Sequence, residues 1–289
     1  MISGIVNVLK PPGMTSHDVV SYIRRIYDIK RIGHAGTLDP AAAGVLPVFL
    51  GAATRLIEYT ADADKTYQAE MTFGFATDSG DDTGKVTVLA TDTPLPSLEE
   101  LHSAMVSFSG PISQIPPMHS AIKVAGKKLY ELARQGIAIE RQPRNVVIKK
   151  IALLRFVSSK ALFVVDCSKG TYIRTLCTDI GNKVGCPAVM SFLVRTRVGE
   201  FNLNEAKTLE EIAENKMAAL LPFDIAIKHL SLAVLSDEDV KAFKNGRCVY
   251  YESHSLEQVF KVYDQAGSFV GIGEKKSSEP RLYPTKVLG

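Results

Sequence analysis

Long apolar runs are missing from this 289-residue chain. No stretch approaches the roughly 20 residues that a membrane helix needs, so no membrane association is expected. Met1 to Val20 lacks a cationic segment followed by an apolar core and a small-residue cleavage site. No secretory signal is expected, and a cytoplasmic location is. The four cysteines, Cys167, Cys177, Cys186 and Cys248, contain no C-x-x-C pair. That argues against a zinc knuckle and more strongly against a disulfide framework; buried free thiols in a reducing cytosol are expected. His17, His34, His102, His119, His229 and His254 are scattered without metal-ligand spacing. The run Asp78 to Gly84 resembles a calcium loop but lacks the closing acid at the right offset. Gly80 and Gly84 enclose three residues, not the four of a P-loop, and no Ser or Thr follows Lys85. Neither metal nor cofactor is expected.

Apolar residues at 46% and charged residues at 22% are those of a globular chain. The length suits one large domain plus a small one. A net charge of +3 is too mild to imply a nucleic-acid partner by itself; its placement carries the information. Between Lys123 and Lys150 stand Lys123, Lys127, Lys128, Arg134, Arg141, Arg144, Lys149 and Lys150 against Glu131 and Glu140, which is +6 there and −3 elsewhere. With Tyr130 among them, this focused charge suits a phosphate-binding surface; a solvated helix face is the alternative. Leu232 to Gly289 has eight basic and eight acidic residues, so charge does not mark it as an RNA binder.

Gly4 to Leu9 reads as a strand stopped by the turn Lys10-Pro11-Pro12-Gly13. Thr15 or Ser16 can cap a helix to about Tyr27 whose apolar face is Val19, Val20, Ile23 and Ile26. A glycine-rich loop, Gly33 to Gly44, leads to a buried strand at Val45 to Leu50 and a helix at Ala52 to Tyr59. Thr66 to Phe75 alternates, with Tyr67, Ala69, Met71, Phe73 and Phe75 on one face of a strand. Ser97 caps a helix from Leu98 to Phe108. Val146 to Phe156 and Ala161 to Cys167 pair as a hairpin. Thr171 to Val184 is a helix ended by Gly185, and Val189 to Val198 is a strand. The fold class is α+β: a mixed, mainly antiparallel sheet with inserted helices. From Leu232 the pattern changes to a small β-rich module with one helix at Asp237 to Asn245.

Three segments could carry chemistry. In Gly33-His34-Ala35-Gly36-Thr37-Leu38-Asp39-Pro40 the glycines permit close backbone approach, and Pro40 pushes Asp39 towards extended geometry. A carboxylate on so stiff a loop suits an active site; the plainer alternative is that Asp39 and Thr37 only cap a turn. Cys167-Ser168-Lys169-Gly170-Thr171-Tyr172-Ile173-Arg174 sits where a strand hands over to a helix. Arg174 there could hold a phosphate or a carboxylate such as Asp39, or be a surface arginine. Tyr67 opens the alternating strand, as a stacking platform for a base or as core.

The run Gly33 to Pro47 resembles the TruB family, the bacterial tRNA pseudouridine-55 synthases. Asn7 to Ser16, Lys65-Thr66-Tyr67, Pro117 to Ala121 with Gly126 to Tyr130, Cys167 to Arg174, and Leu193-Val194-Arg195 resemble the family's other motifs in its order. Gly267 to Gly273 resembles its C-terminal part. The resemblance implies a pseudouridine synthase domain at 1–230 with a basic RNA-contacting insertion at about 115–150, and a PUA-like module at 231–289. It implies tRNA, through its TΨC arm, as partner, with no protein partner, and a monomer. It carries the catalytic role onto Asp39. Substrate contact falls to His34, Tyr67 and Tyr172, pairing with the carboxylate to Arg174, and lining of the uridine pocket to Leu193. Isomerisation exchanges no electrons, phosphoryl groups or net water, which accords with the absence of a cofactor site. A carboxylate can trap the positive ribose carbon or act as base on the sugar. Two other functions would use the same residues: tRNA binding or folding assistance without chemistry, and hydrolysis that releases free base.

Overall fold

The computed structural model describes residues 2–120, 122–124, 126–137, 139–252, 256–276 and 279–288. Ala121 and His254, named above, lie outside the described residues, as do the side chains of Lys123, Lys128 and Arg134.

Strand β1 (Gly4–Lys10) runs into helix α1 (Ser16–Tyr27). Thr15 starts that helix: its hydroxyl accepts from the Asp18 amide while the Asp18 carboxylate accepts from the Thr15 amide. Val19, Val20 and Ile23 are buried, as their spacing requires. Strands β2 (Ile32–His34) and β3 (Ala43–Leu50) bracket the glycine-rich loop. A 3₁₀ turn at Gly51–Leu56 leads into α2 (Ile57–Ala61). In β4 (Lys65–Phe73) every second residue is buried, from Lys65 and Tyr67 to Phe73. The expected face stops there. Gly74 adopts φ +105°, and Phe75 belongs instead to β5 (Phe75–Thr77), which pairs with β6 (Val86–Leu89).

Ser97 caps α3 (Leu98–Val106), and β7 (Gly110–Gln114) follows. The basic segment holds a small hairpin, β8 (Lys123–Val124) with β9 (Lys127–Lys128), and α4 (Leu129–Arg134). Then come β10 (Arg144–Val157), β11 (Lys160–Cys167), α5 (Ile173–Lys183), β12 (Ala188–Val198), β13 (Phe201–Asn202) and α6 (Leu209–Glu214). Helix α5 begins at Ile173 rather than Thr171, with Tyr172 as its N-cap residue.

The main sheet has the order β1-β3-β12-β4-β11-β10-β7, with β2 beside β3 and β13 beside β12. Its one parallel pairing joins β12 to β3, at Val194↔Ala43 and Arg195↔Gly44. That pairing brings the end of the glycine-rich loop against the strand carrying Leu193 and Arg195. Helices α3 and α5 cover one face, where Leu101, Met105, Leu176 and Ile180 pack on Ala69, Met71 and Phe163. Cys167, Cys177 and Cys186 are buried free thiols, and Cys248 is a half-buried one.

That second sheet has the order β14-β16-β17-β18-β15, built from β14 (Ser231–Leu235), β15 (Val249–Tyr250), β16 (Val259–Asp264), β17 (Phe269–Lys275) and β18 (Arg281–Val287). Helix α7 (Asp237–Lys244) packs on it through Val240 and Phe243. It docks onto the larger part through an apolar seam in which Ile272 meets the cluster of Phe49, Ala226 and Ile227, and Phe223 stacks edge-on against Phe269. Arg55 donates to the Val287 carbonyl at 2.6 Å, and Lys286 pairs with Glu58 at 2.8 Å.

Candidate active site

The loop carrying Asp39 is held from inside by two buried cations. The Lys10 ammonium donates to the carbonyls of Pro11 (2.9 Å), Pro40 (3.2 Å) and Ala42 (2.6 Å). Arg195 donates to the carbonyls of Val45 (2.8 Å), Gly36 (3.0 Å) and Thr37 (3.4 Å). The Ser16 hydroxyl accepts from the Leu38 amide and donates to the Leu38 carbonyl. Gly36 at φ +92° makes the turn that aims these carbonyls inward. With the backbone thus fixed, the Asp39 side chain points the other way and stays 40% exposed.

There it meets Arg174, whose side chain is only 6% exposed, at 3.1 Å. The same guanidinium donates to the carbonyls of Ser79 (3.1 Å) and His119 (2.6 Å) and faces the Asp81 carboxylate at 3.7 Å. Arg174 is in the first turn of α5, and the Gln114 side chain fixes the start of that helix. Its amide nitrogen donates to the Tyr172 carbonyl at 3.2 Å, and its oxygen accepts from the Tyr172 amide at 3.0 Å. Burial pushes the Asp81 carboxyl up. Hydrogen bonds from Thr83 and Ser79, with the Arg174 charge, outweigh burial and hold it below the usual carboxylate range.

Tyr67 and Leu193 lie on adjacent antiparallel strands, in register at Leu193↔Ala69 and Arg195↔Tyr67. Both are nearly buried and share one apolar cluster with Leu38, Ala42 and Ile173, which forms a floor beside the Asp39 loop. Burial raises the Tyr67 phenol above its ordinary value, opposed by the Arg195 charge, so the phenol is neutral. His34 ends β2; burial, then the Arg195 charge, pushes it down, and its Nδ1 is buried without a partner among the described residues. Burial likewise lowers Lys10 to about 8, although Asp39 is nearby.

Asp39, Arg174, Tyr67, Leu193 and His34 are thus gathered around one loop and its floor. Tyr172 adjoins Arg174 in sequence, but its backbone, not its ring, makes the described polar contacts. Lys10, Ser16 and Arg195 stand in the motifs quoted above and Asp81 in the run that resembles a calcium loop, but none was given a role at this site, and Gln114 was not named. Arg195 had one signal, a charged residue two places after Leu193 on an apolar strand face. Asp81 sits in the run that resembles a calcium loop, where its sequence neighbours hide its partner 93 residues away.

Among the described residues, no group of three or more His, Cys, Asp or Glu side chains is placed to hold a metal ion. No helix among them is long and apolar enough to cross a membrane. In the basic segment Lys127, Arg144 and Lys150 are exposed, while Lys149 pairs with Asp64 and Arg141 donates to the Pro116 carbonyl.

Sequence models of known families match almost the whole chain. The N-terminal domain of TruB family pseudouridylate synthases matches residues 24–173. The tRNA pseudouridylate synthase B C-terminal domain matches 174–227, and the C-terminal part of pseudouridine synthase II TruB matches 233–288. A tRNA pseudouridine synthase B of Alkaliphilus oremlandii is 49% identical over 295 aligned positions, covering 99% of this chain and 98% of that protein. One from Caldanaerobacter subterraneus is 46% identical, covering 97% and 98%. Among solved structures, a chain of a Cbf5-Nop10-Gar1 complex superposes with a TM-score of 0.78 at 27% identity, covering 99% of this chain and 85% of that one. A chain of an H/ACA RNP bound to a substrate RNA containing 2′-deoxyuridine superposes with a TM-score of 0.76 at 25% identity, covering 99% and 85%.

Proposed function

The chain belongs to the TruB family of pseudouridylate synthases, and on that premise we propose that it isomerises uridine 55 in the TΨC loop of tRNA to pseudouridine with Asp39 as the catalytic residue. The observation that carries this reading is the Asp39–Arg174 pair: a half-exposed carboxylate on a loop held by buried cations, oriented at 3.1 Å by a buried guanidinium.

The chemistry is conservative in atoms. The N1–C1′ bond breaks with its electron pair left on uracil. Asp39 either bonds to C1′ and leaves it again when C5 attacks, or removes a proton from C2′ of the sugar and returns it as C5 bonds to C1′. The uracil turns, C5 bonds to C1′, and the C5 proton is lost while N1 gains one. These steps call for a carboxylate fixed in place, and tRNA bound over the loop would keep water from the detached base. The uridine must leave its loop to reach Asp39. Tyr67 and Leu193 supply the apolar surface for the flipped base, and His34 and Tyr172 flank it. A neutral His34 can accept or donate a hydrogen bond without adding charge beside Asp39.

The second sheet is the PUA-like module of this family. The exposed cations Lys127, Arg144 and Lys150 suit phosphates of the tRNA. The chain acts alone as a monomer and without metal or cofactor in this reading. Incubating the pure protein with uridine-containing tRNA and analysing the nucleosides tests it. Carbon-linked uracil at unchanged tRNA mass supports the reading, whereas released uracil or untouched tRNA overturns it.

A further inference from the structure

We propose that Gln114 is a positioning residue for this reaction: its side-chain amide grips the Tyr172 backbone and so sets the first turn of α5, from which Arg174 reaches the Asp39 carboxylate. The inference rests on the isomerase reading above.

Gln114 is the last residue of β7, the edge strand of the main sheet, and is 1% exposed. A buried primary amide needs partners for both its ends. Both partners belong to one residue 58 positions later. The Gln114 nitrogen donates to the Tyr172 carbonyl at 3.2 Å, and the oxygen accepts from the Tyr172 amide at 3.0 Å. A neighbouring strand would hold a backbone in the same way, and here the grip falls on the N-cap of α5. The Tyr172 side chain makes no capping hydrogen bond there. The turn before it, Lys169-Gly170, is exposed, with Gly170 at φ +81°. Further along, Leu176, Cys177 and Ile180 are buried in the core and fix the body of the helix. Helix ends fray, so the first turn needs a fixture of its own.

Arg174 stands in that turn. Its guanidinium lies 3.1 Å from Asp39 and donates to the His119 carbonyl at 2.6 Å. The Ile115 carbonyl accepts from the Thr175 hydroxyl at 3.4 Å. The chain leaving β7 thus meets α5 at Tyr172, Arg174 and Thr175, and Gln114 supplies the two-point contact. A catalytic group displaced by about 1 Å can cost about 100-fold in rate. A first turn free to move would displace the Asp39–Arg174 pair in this way.

An amide offers one donor and one acceptor, which is what the two Tyr172 groups require. A carboxylate of the same shape only accepts when ionised, and would face the Tyr172 carbonyl with no proton between them; protonated, it regains the donor. The cations on elements next to Gln114 are Arg174 on α5 and Arg144, its exposed register partner on β10.

The test compares single-turnover pseudouridine formation by wild type, Gln114→Met and Gln114→Glu from about pH 5 to about pH 9, with tRNA affinity measured alongside. Gln114→Met has similar length but neither donor nor acceptor. It should be about ten-fold slower or more at each pH, with the tRNA Kd within about three-fold. The ratio of the wild-type rate to that of Gln114→Glu should stay near one at low pH and rise to about ten-fold as the glutamate ionises. Groups common to both proteins cancel in that ratio. Because Gln114 acts through Arg174, adding Gln114→Met to Arg174→Lys should slow the latter by less than about three-fold. A near-normal rate for Gln114→Met, a loss confined to tRNA affinity, a ratio flat with pH, or multiplied effects in the double variant would overturn the proposal. Should Gln114→Met fail to fold, the pH profile of Gln114→Glu decides. If the wild-type chain forms no pseudouridine, the isomerase reading itself fails, which the first measurement shows before any variant is compared.

Discussion

The Arg174 guanidinium lies 3.1 Å from the Asp39 carboxylate while also donating to the Ser79 and His119 carbonyls. One side chain therefore ties the Asp39 loop to the loop after β5 and to the base of the basic segment. An ammonium on a flexible stem cannot reproduce a planar fork with donors in several fixed directions. Arg174→Lys should lower kcat about 100-fold or more and leave the tRNA Kd within about two-fold. Single-turnover rates beside equilibrium binding check this, and near-normal turnover would remove the orienting role.

Gly44 closes the same loop against β12. A Cβ there would stand 2.2 Å from the Arg195 carbonyl oxygen, and the residue's φ of +112° is strained for any side chain. Gly44→Ala should destabilise the fold by about 2 kcal/mol or more. Urea denaturation reads this directly as a lower midpoint. An unchanged midpoint would mean that the β12–β3 pairing yields easily.

Local physics was legible in the sequence. The cap read as Thr15 or Ser16 falls to Thr15, and the α1 stripe apart from half-buried Ile26, the alternation of β4 as far as Phe73 and the β10–β11 hairpin formed as read, since all depend on neighbours a few residues apart. Phe75 departed from its expected face because one glycine can redirect a strand whose alternation continues in the letters. The buried cations were not legible. Lysine and arginine are usually exposed, and nothing near Lys10 or Arg195 in sequence announces that distant carbonyls will take their donors. Asp39 stood out through its Gly-Pro frame, but its partner is 135 residues away, so only the resemblance joined the two beforehand.

Lys127 and Lys150 are exposed and make no described ion pair. If they meet tRNA phosphates, log Kd should vary with log salt with a slope of about 0.7–0.9 per contact. Replacing both by alanine should weaken binding and flatten that slope. A variant with wild-type affinity and slope would make them part of a solvated face.

Burial brings Lys10 down to about 8 from 10.5. Between those values the unfolded chain holds a proton that the folded chain has lost, so this lysine's contribution to stability rises with pH across the window. Below about 8 both states are protonated and burial of the charge is most unfavourable. Denaturant midpoints of wild type and Lys10→Met should therefore shift in favour of wild type between about pH 7 and pH 10. Lys65 is lowered to about 8 in both proteins, so its effect cancels in the comparison. A difference that is constant with pH would contradict the buried ammonium.

Asp39→Asn, assayed by nucleoside analysis of tRNA after single turnover, tests the central claim most directly. The amide is nearly isosteric, and the loop is held through its backbone carbonyls rather than the carboxylate. Fold and tRNA affinity should survive while pseudouridine formation falls by about three orders of magnitude or more, since the nucleophile or base is gone. Wild-type protein should yield carbon-linked uracil at position 55, with tRNA mass unchanged and no uracil in solution. An Asn variant that binds tRNA and forms pseudouridine at the wild-type rate would contradict Asp39 as the catalytic residue.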